Sequence, residues 1–276
     1  MTTEAPQDGP LSGMLAVSIA ANAPGPEAAA LLRAEGMRIV KIEGPAGDLL
    51  IEAAPGWYAE LTEDVEVRKL DLRSESGFAE FRGLLAEADL LITSHRRAGL
   101  TRLGITVPAL AAINADLCWI EIVGDNEAPD VPGHNLTYQF RAGLLAPPAM
   151  PRTALADLAG ARDAARAALA LLLGRARGRA ERHRTIGLRQ SAEALDAPVR
   201  HGLSVDGGFL SGALPNYRIY ALSDGWAAVA ALEPHFAARF DAAVGADPAA
   251  FFAAATVAEI ETLAEAQDLP IEAVAG

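Results

Sequence analysis

The chain has 276 residues, 51% of them hydrophobic and 21% charged, with 36 acidic residues against 23 basic ones and a formal net charge of −13. That apolar fraction supports one large domain or two modest ones with a self-sufficient core, and it excludes a disordered chain. The acidic balance repels phosphate backbones and argues against nucleic acid as a partner. The single cysteine, Cys118, has no partner for an internal disulfide and fits a reducing compartment.

No apolar run approaches the roughly 20 residues of a bilayer span, so no membrane association is expected. Residues 11–23 resemble the core of a signal peptide, but residues 1–10 carry Glu4 and Asp8 and no Lys or Arg. The segment therefore reads as a buried strand of a cytoplasmic protein. Residues 1–12 read as a loose polar arm. A strand at 14–19, a Pro24-Gly25-Pro26 turn and a helix at 27–35 follow, with Gly36 at its C-cap position and a second strand at 37–42. Further strands are expected at 67–72, 89–93 and 118–123, and helices at 77–87, 100–103 and 108–113. Strands separated by helices point to an α/β domain with a parallel sheet.

Residues 157–173 read as a long Ala/Leu helix. The arginines at 175, 177, 179, 182, 184 and 189 read as a solvated helix end or connector, with a polyanion site as the alternative. Residues 202–215 read as a loop, 217–222 and 226–232 as a hairpin, and the chain from 236 onward as helical. The expected organisation is a large domain over 1–190 and a small α+β domain over 200–276. No G-x-G-x-x-G, P-loop, metal-ligand spacing or G-x-S-x-G elbow is present.

Several segments, in order along the chain, resemble one family. Asn22-Ala23-Pro24-Gly25-Pro26 is similar to its P-G-P-x-A turn, and Gly36–Glu43 to "GADVIKVE". Leu70-Asp71-Leu72-Arg73 is similar to "LDLK", and 88–105, with Arg96, to "ADVLIENFRPGVLERLGL". Gly133-His134-Asn135 resembles "GHD", and Ala156-Asp157-Leu158-Ala159-Gly160 "ADLAGG". Ser211–Pro215 with Glu233-Pro234 resembles "SGALP…EP". On these motifs the chain resembles the class III CoA-transferases and α-methylacyl-CoA racemases, most closely the racemase branch. The resemblance implies a Rossmann-like large domain, an acyl-CoA substrate, no cofactor apart from CoA carried by that substrate, and a dimer of identical chains or of this chain with another family member.

Taken by themselves, His134 after Pro132-Gly133 reads as a turn histidine, Asp157 before an apolar helix as an N-cap, and Glu233 as a loop carboxylate. The resemblance places all three on the family's catalytic positions. The α-carbon of an acyl-CoA thioester is weakly acidic, and inverting it needs one group to take a proton and another to deliver one. His134 and Asp157 suit those roles, with Glu233 holding the imidazole. In the transferases the aspartate is instead a nucleophile that forms an acyl anhydride. A third reading is a catalytically degenerate member serving as a binding subunit. For CoA itself the resemblance implies Lys41, Arg96, Pro24 and Gly25, with Arg97 and Arg73 weaker candidates. Lys41 and Arg96 are expected to line one groove. Against this pattern, the family's basic stretch before "LDLK" is replaced by Thr62-Glu63-Asp64-Val65-Glu66, which would oppose a phosphate. The chain is also shorter than the family pattern, which bears on whether the family's interlocked dimer forms.

Overall fold

The computed structural model describes residues 9–276, and the chain divides into two compact units between Asp196 and Ala197. The first unit runs β1 (Leu15–Ser18), α1 (Pro24–Ala34), β2 (Arg38–Glu43), α2 (Leu50–Ala53), α3 (Pro55–Thr62), β3 (Glu66–Lys69), α4 (Glu75–Glu87) and β4 (Leu90–Thr93). It continues through α5 (Arg97–Arg102), α6 (Val107–Ile113), β5 (Cys118–Val123), α7 (Asn135–Arg141), α8 (Leu155–Ala176), β6 (His183–Gly187) and α9 (Leu188–Glu193). Its six strands form one parallel sheet in the order β3-β2-β1-β4-β5-β6. The chain begins at the centre, winds to one edge, and returns to lay β4 beside β1. This is the Rossmann-like, doubly wound arrangement with its switch point between β1 and β4.

The central strands are apolar on both faces because both faces are covered. Ala16, Ile39, Leu90, Ile92, Ile120 and Ile122 point to one side, against α1 and α8. Leu15, Val17, Val40, Leu91 and Trp119 point to the other, against Phe81 and Leu85 of α4 and Leu100 and Leu110 of α5 and α6. The face of α8 that enters the core is built from Ala161, Ala164, Ala165 and Ala168, so a bulky side chain there has no room.

The structure corrects several expectations. The arm expected over 1–12 lies outside the described residues as far as residue 8, but Leu11 is buried and its N–H donates to the Glu35 carbonyl at 2.9 Å. Pro24-Gly25-Pro26 is the first turn of α1 and not a separate turn, with proline at the position where a missing N–H costs least. β3 ends at Lys69, earlier than expected. The arginine run 175–189 does end α8 and connect it to β6, as expected, but four of its six arginines are held in ion pairs. Arg175 binds Asp89 at 2.6 Å, Arg184 binds Glu181 at 2.7 Å, and Arg189 is held by Asp125, Glu127 and Glu193 at 2.7–2.8 Å. Edge strand β6 runs through the middle of it.

The second unit contains α10 (Ala197–Arg200), β7 (Tyr217–Ala221), β8 (Gly225–Ala230), α11 (Pro234–Val244), α12 (Pro248–Ala254), α13 (Val257–Gln267) and β9 (Ile271–Ala275). The three strands form an antiparallel sheet with β8 in the middle. The expected hairpin is its first half, whereas the residues expected to be helical to the end finish in β9. Tyr220, Ala227, Val229 and Ile271 pack against Phe240, Phe252 and Ile260 of the helices. Among the described residues no helix is long and apolar enough to cross a membrane.

Candidate active site

Parallel strands leave a crevice where neighbouring connections diverge. After β1 the chain turns into α1, and after β4 it turns the other way into α5. Ser94 bridges the two paths: its Oγ accepts the Ala21 N–H at 2.9 Å and donates to the Ala21 carbonyl at 3.2 Å. Asn22 takes a left-handed conformation, φ 63°, which asparagine tolerates better than most residues. A cavity of about 460 Å³ opens here, and its wall includes Asn22, Pro24, Trp57, Arg96, His134 and Asp157.

His134 stands at the N-terminal boundary of α7. Its backbone is fixed by Thr137, whose Oγ1 accepts the His134 N–H at 3.1 Å and donates to the His134 carbonyl at 2.8 Å. Asp157 lies in the first turn of α8, three residues past Ala154, so it is not the N-cap expected from the sequence. Among the described residues no hydrogen bond or ion pair engages its carboxylate. Burial pushes its pKa up to about 6, and the nearby His134 charge acts in the opposite direction. A half-buried, unpartnered carboxylate held near neutrality beside an imidazole is a pair suited to exchanging protons.

Among the described residues Arg96 is the only Arg or Lys that lines the cavity, and no hydrogen bond or ion pair occupies its guanidinium. Pro24 lines the same wall, while Gly25 is buried behind it, where a Cβ would overlap the Ala20 side chain. Lys41 does not share this groove, which corrects the expectation. It is 3% exposed, and its Nζ donates to Glu43 Oε1 and Asp48 Oδ2, both at 2.7 Å, over the ring of Tyr58. Arg97 is likewise committed, forking onto Glu121 at 3.0 and 2.8 Å. Glu233 belongs to the second unit, as the exposed residue that precedes α11.

A second cavity, of about 520 Å³, lies beyond His95, which lines both. Its wall includes Ile19, Leu70, Leu72, Arg73, Arg102 and Leu103. The acidic run 62–66 lines neither cavity, so the opposition to a phosphate read from the sequence does not arise at these walls.

Residue types alone assign no role to Asn135, Tyr138 or Gln139. Asn135 Oδ1 accepts the Ala156 N–H at 3.0 Å and Gln139 Nε2 at 2.9 Å. Tyr138 lines the cavity, with its hydroxyl lodged where a Cβ on Gly124 or Gly133 would stand. Burial raises its pKa, the Asp157 and Asp125 charges add to that, and Arg96 opposes it. The signal that points to Tyr138 is that pair of glycines, which leave room for its hydroxyl.

A doubly wound α/β protein whose switch-point cavity holds an imidazole and an unpartnered carboxylate is of the class that takes a small-molecule ligand outside the carboxyl ends of its strands. Sequence comparison narrows the class. The chain belongs to CoA-transferase family III, whose model matches residues 11–275. It is 31% identical over 146 residues to the cinnamoyl-CoA:phenyllactate CoA-transferase of Clostridium sporogenes, covering 48% of this chain and 35% of that protein. It is 26% identical over 255 residues to the human alpha-methylacyl-CoA racemase, covering 82% of this chain and 62% of that one. The chain therefore spans less than two thirds of the length of these relatives. A crystal structure of a CAIB/BAIF family protein from Brucella suis shares the fold, with a TM-score of 0.80 at 21% identity over 96% of this chain and 84% of that one.

Proposed function

We propose that the protein acts on an acyl-CoA thioester by racemase-type transfer of the α-proton, with His134 and Asp157 as the two proton-exchanging groups. The observation that carries this reading is their shared cavity, together with an Asp157 carboxyl held near pH 6. One group removes the α-hydrogen from one face, the electron pair spreads onto the thioester oxygen, and the other returns a proton to the opposite face. The nucleotide end of CoA fits the neighbouring cavity, where Arg102 supplies a cation, Arg73 is paired with Asp71 at 3.0 Å, and Leu70, Leu72 and Leu103 give apolar walls. Arg96 would then meet the phosphates between the two.

The test is α-hydrogen exchange. A 2-methylacyl-CoA incubated with the protein in heavy water should gain deuterium at its α-carbon with no acyl acceptor present. Deuterium-free substrate, combined with acceptor-dependent CoA transfer and hydroxylamine trapping of an acyl group on Asp157, would replace this reading by the transferase one. Arg96→Ala should weaken CoA binding by about 1–3 kcal/mol if the guanidinium pairs with a phosphate. Calorimetric titration that finds the two proteins equal would remove Arg96 from the site.

A further inference from the structure

The two proton-exchanging groups are 23 positions apart in sequence and stand on different helices, so something must fix one helix against the other. The N-terminus of α8 is short of a cap. The first four N–H groups of a helix have no intrahelical acceptor, and Ala154, at the N-cap position, has no side-chain oxygen to offer. The missing acceptor comes from α7. Asn135 Oδ1 takes the Ala156 N–H at 3.0 Å, while Gln139, 1% exposed, donates its Nε2 both to Asn135 Oδ1 at 2.9 Å and to the Thr153 carbonyl at 3.1 Å. Asn135 follows His134 directly, and Ala156 precedes Asp157 directly.

We propose that Asn135 is a positioning residue for the proton-transfer pair: it caps α8 from α7, and through that bond it sets the place of Asp157 relative to His134. The assignment of the pair rests on the function proposed above; the strut itself does not. A peptide N–H and its neighbouring Cα move together, so a lost Ala156 bond displaces the start of α8 and the Asp157 side chain with it. The neutral amide matters as well. Asn135 accepts without bringing a second negative charge to the start of α8. The charged and titratable groups that line the cavity with Asp157 are His134 and Tyr138 from the α7 segment and His95 and Arg96 from the end of β4. Asp125 acts on the same Tyr138. An aspartate at 135 would keep the acceptor and add repulsion.

Two variants and one control test this. Thr256→Ala removes a comparable cap, that of α13 in the second unit, where Thr256 Oγ1 accepts the Glu259 N–H. Asn135→Ala should lower the melting temperature about as much as Thr256→Ala does, but should also lower kcat for α-exchange at least about tenfold with KM for the acyl-CoA within about threefold. Thr256→Ala should leave both constants at wild-type values. Asn135→Asp should restore the melting temperature and most of kcat, with the pH profile moved toward higher pH by about half a unit or more. A readout without substrate runs alongside. The difference in melting temperature between each protein and its Asp157→Asn counterpart, followed from about pH 3.5 to 8, reports the titration of Asp157, and N135D should move that transition upward. Wild-type kcat in Asn135→Ala, or an unmoved Asp157 transition in N135D, would overturn the proposal. Absence of α-exchange in the wild type would instead overturn the function proposed above, leaving the melting-temperature series to decide the role of Asn135.

Discussion

Asp157→Asn is expected to yield a protein that is more stable at neutral pH and inactive in inversion. The carboxyl's folded-state pKa is raised from 3.8 to about 6 by burial. For an acid shifted in this direction, the folded state binds the proton more tightly than the unfolded chain. The resulting stability is fully present below the unfolded value and is lost as pH rises through about 6. At about pH 7.5 the ionised group opposes folding by an amount on the order of 2–3 kcal/mol, since each tenfold gain in proton affinity is worth about 1.4 kcal/mol. The amide has the same shape and no charge to bury, so its melting temperature should exceed the wild type's by several degrees at about pH 7.5 and match it near pH 4. Inversion of the α-carbon should fall by at least about a thousandfold, while His134 keeps α-hydrogen exchange on its own face. Calorimetry at the two pH values checks the first half. A variant less stable than the wild type at the higher pH would show the carboxylate to be a structural acceptor.

Glu121→Gln should have the opposite effect. Glu121 is fully buried in β5, accepts from Arg97 Nε and Nη2 and from Thr185 Oγ1 at 3.1 Å, and meets His183 Nε2 at 3.2 Å. Burial pushes its pKa up, but the hydrogen bonds from His183 and Arg97 outweigh it and bring the value down to about 2. An acid shifted downward contributes stability that is present above its unfolded pKa of about 4.5 and is lost as pH falls toward 2. Glutamine keeps the volume but strands the half-exposed Arg97 cation, so urea unfolding at about pH 7 should show a loss of about 2–4 kcal/mol. The acid limb of the variant between pH 4.5 and 2 should be flatter than the wild type's. A loss below about 1 kcal/mol would mean that solvent replaces the carboxylate at Arg97.

The contrast between these carboxylates shows what the sequence exposes and what it hides. The buried central strands are legible because an apolar run between polar turns has few other uses, as with Leu90 to Ile92 and Cys118 to Val123. β6 is hidden because an edge strand needs only one neighbour, and its His, Arg and Thr side chains serve Glu121 and Glu181 and leave the core to others. β9 is hidden because Ile271-Glu272-Ala273-Val274-Ala275 is as Ala-rich as the helices before it. At the site, His134, Asp157 and Arg96 stand in ordered motifs, and the fold brings them to one cavity. Lys41 stands in a motif too, but Asp48, seven residues on, folds back to claim its charge, and nothing in a linear pattern announces that return. Asn135 reads in the sequence only as a departure from a motif; its meaning lies in a bond to the start of a separate helix, 21 residues on.

The small antiparallel sheet sets an order of assembly. β7 and β8 are joined by a tight connection and pair with almost no loop to close, so they form on the timescale of a hairpin. The other edge of β8 waits for β9, which arrives only after α11, α12 and α13 have been laid down. Closing that longer loop is the slower event. During synthesis, therefore, the hairpin emerges with one side of β8 open while three helices are still being made. Ile271 of β9, which completes the cluster around Phe240 and Phe252, reaches its place only then. Until that moment β8 is paired on one side alone, with β7, and the apolar cluster of the second unit is incomplete.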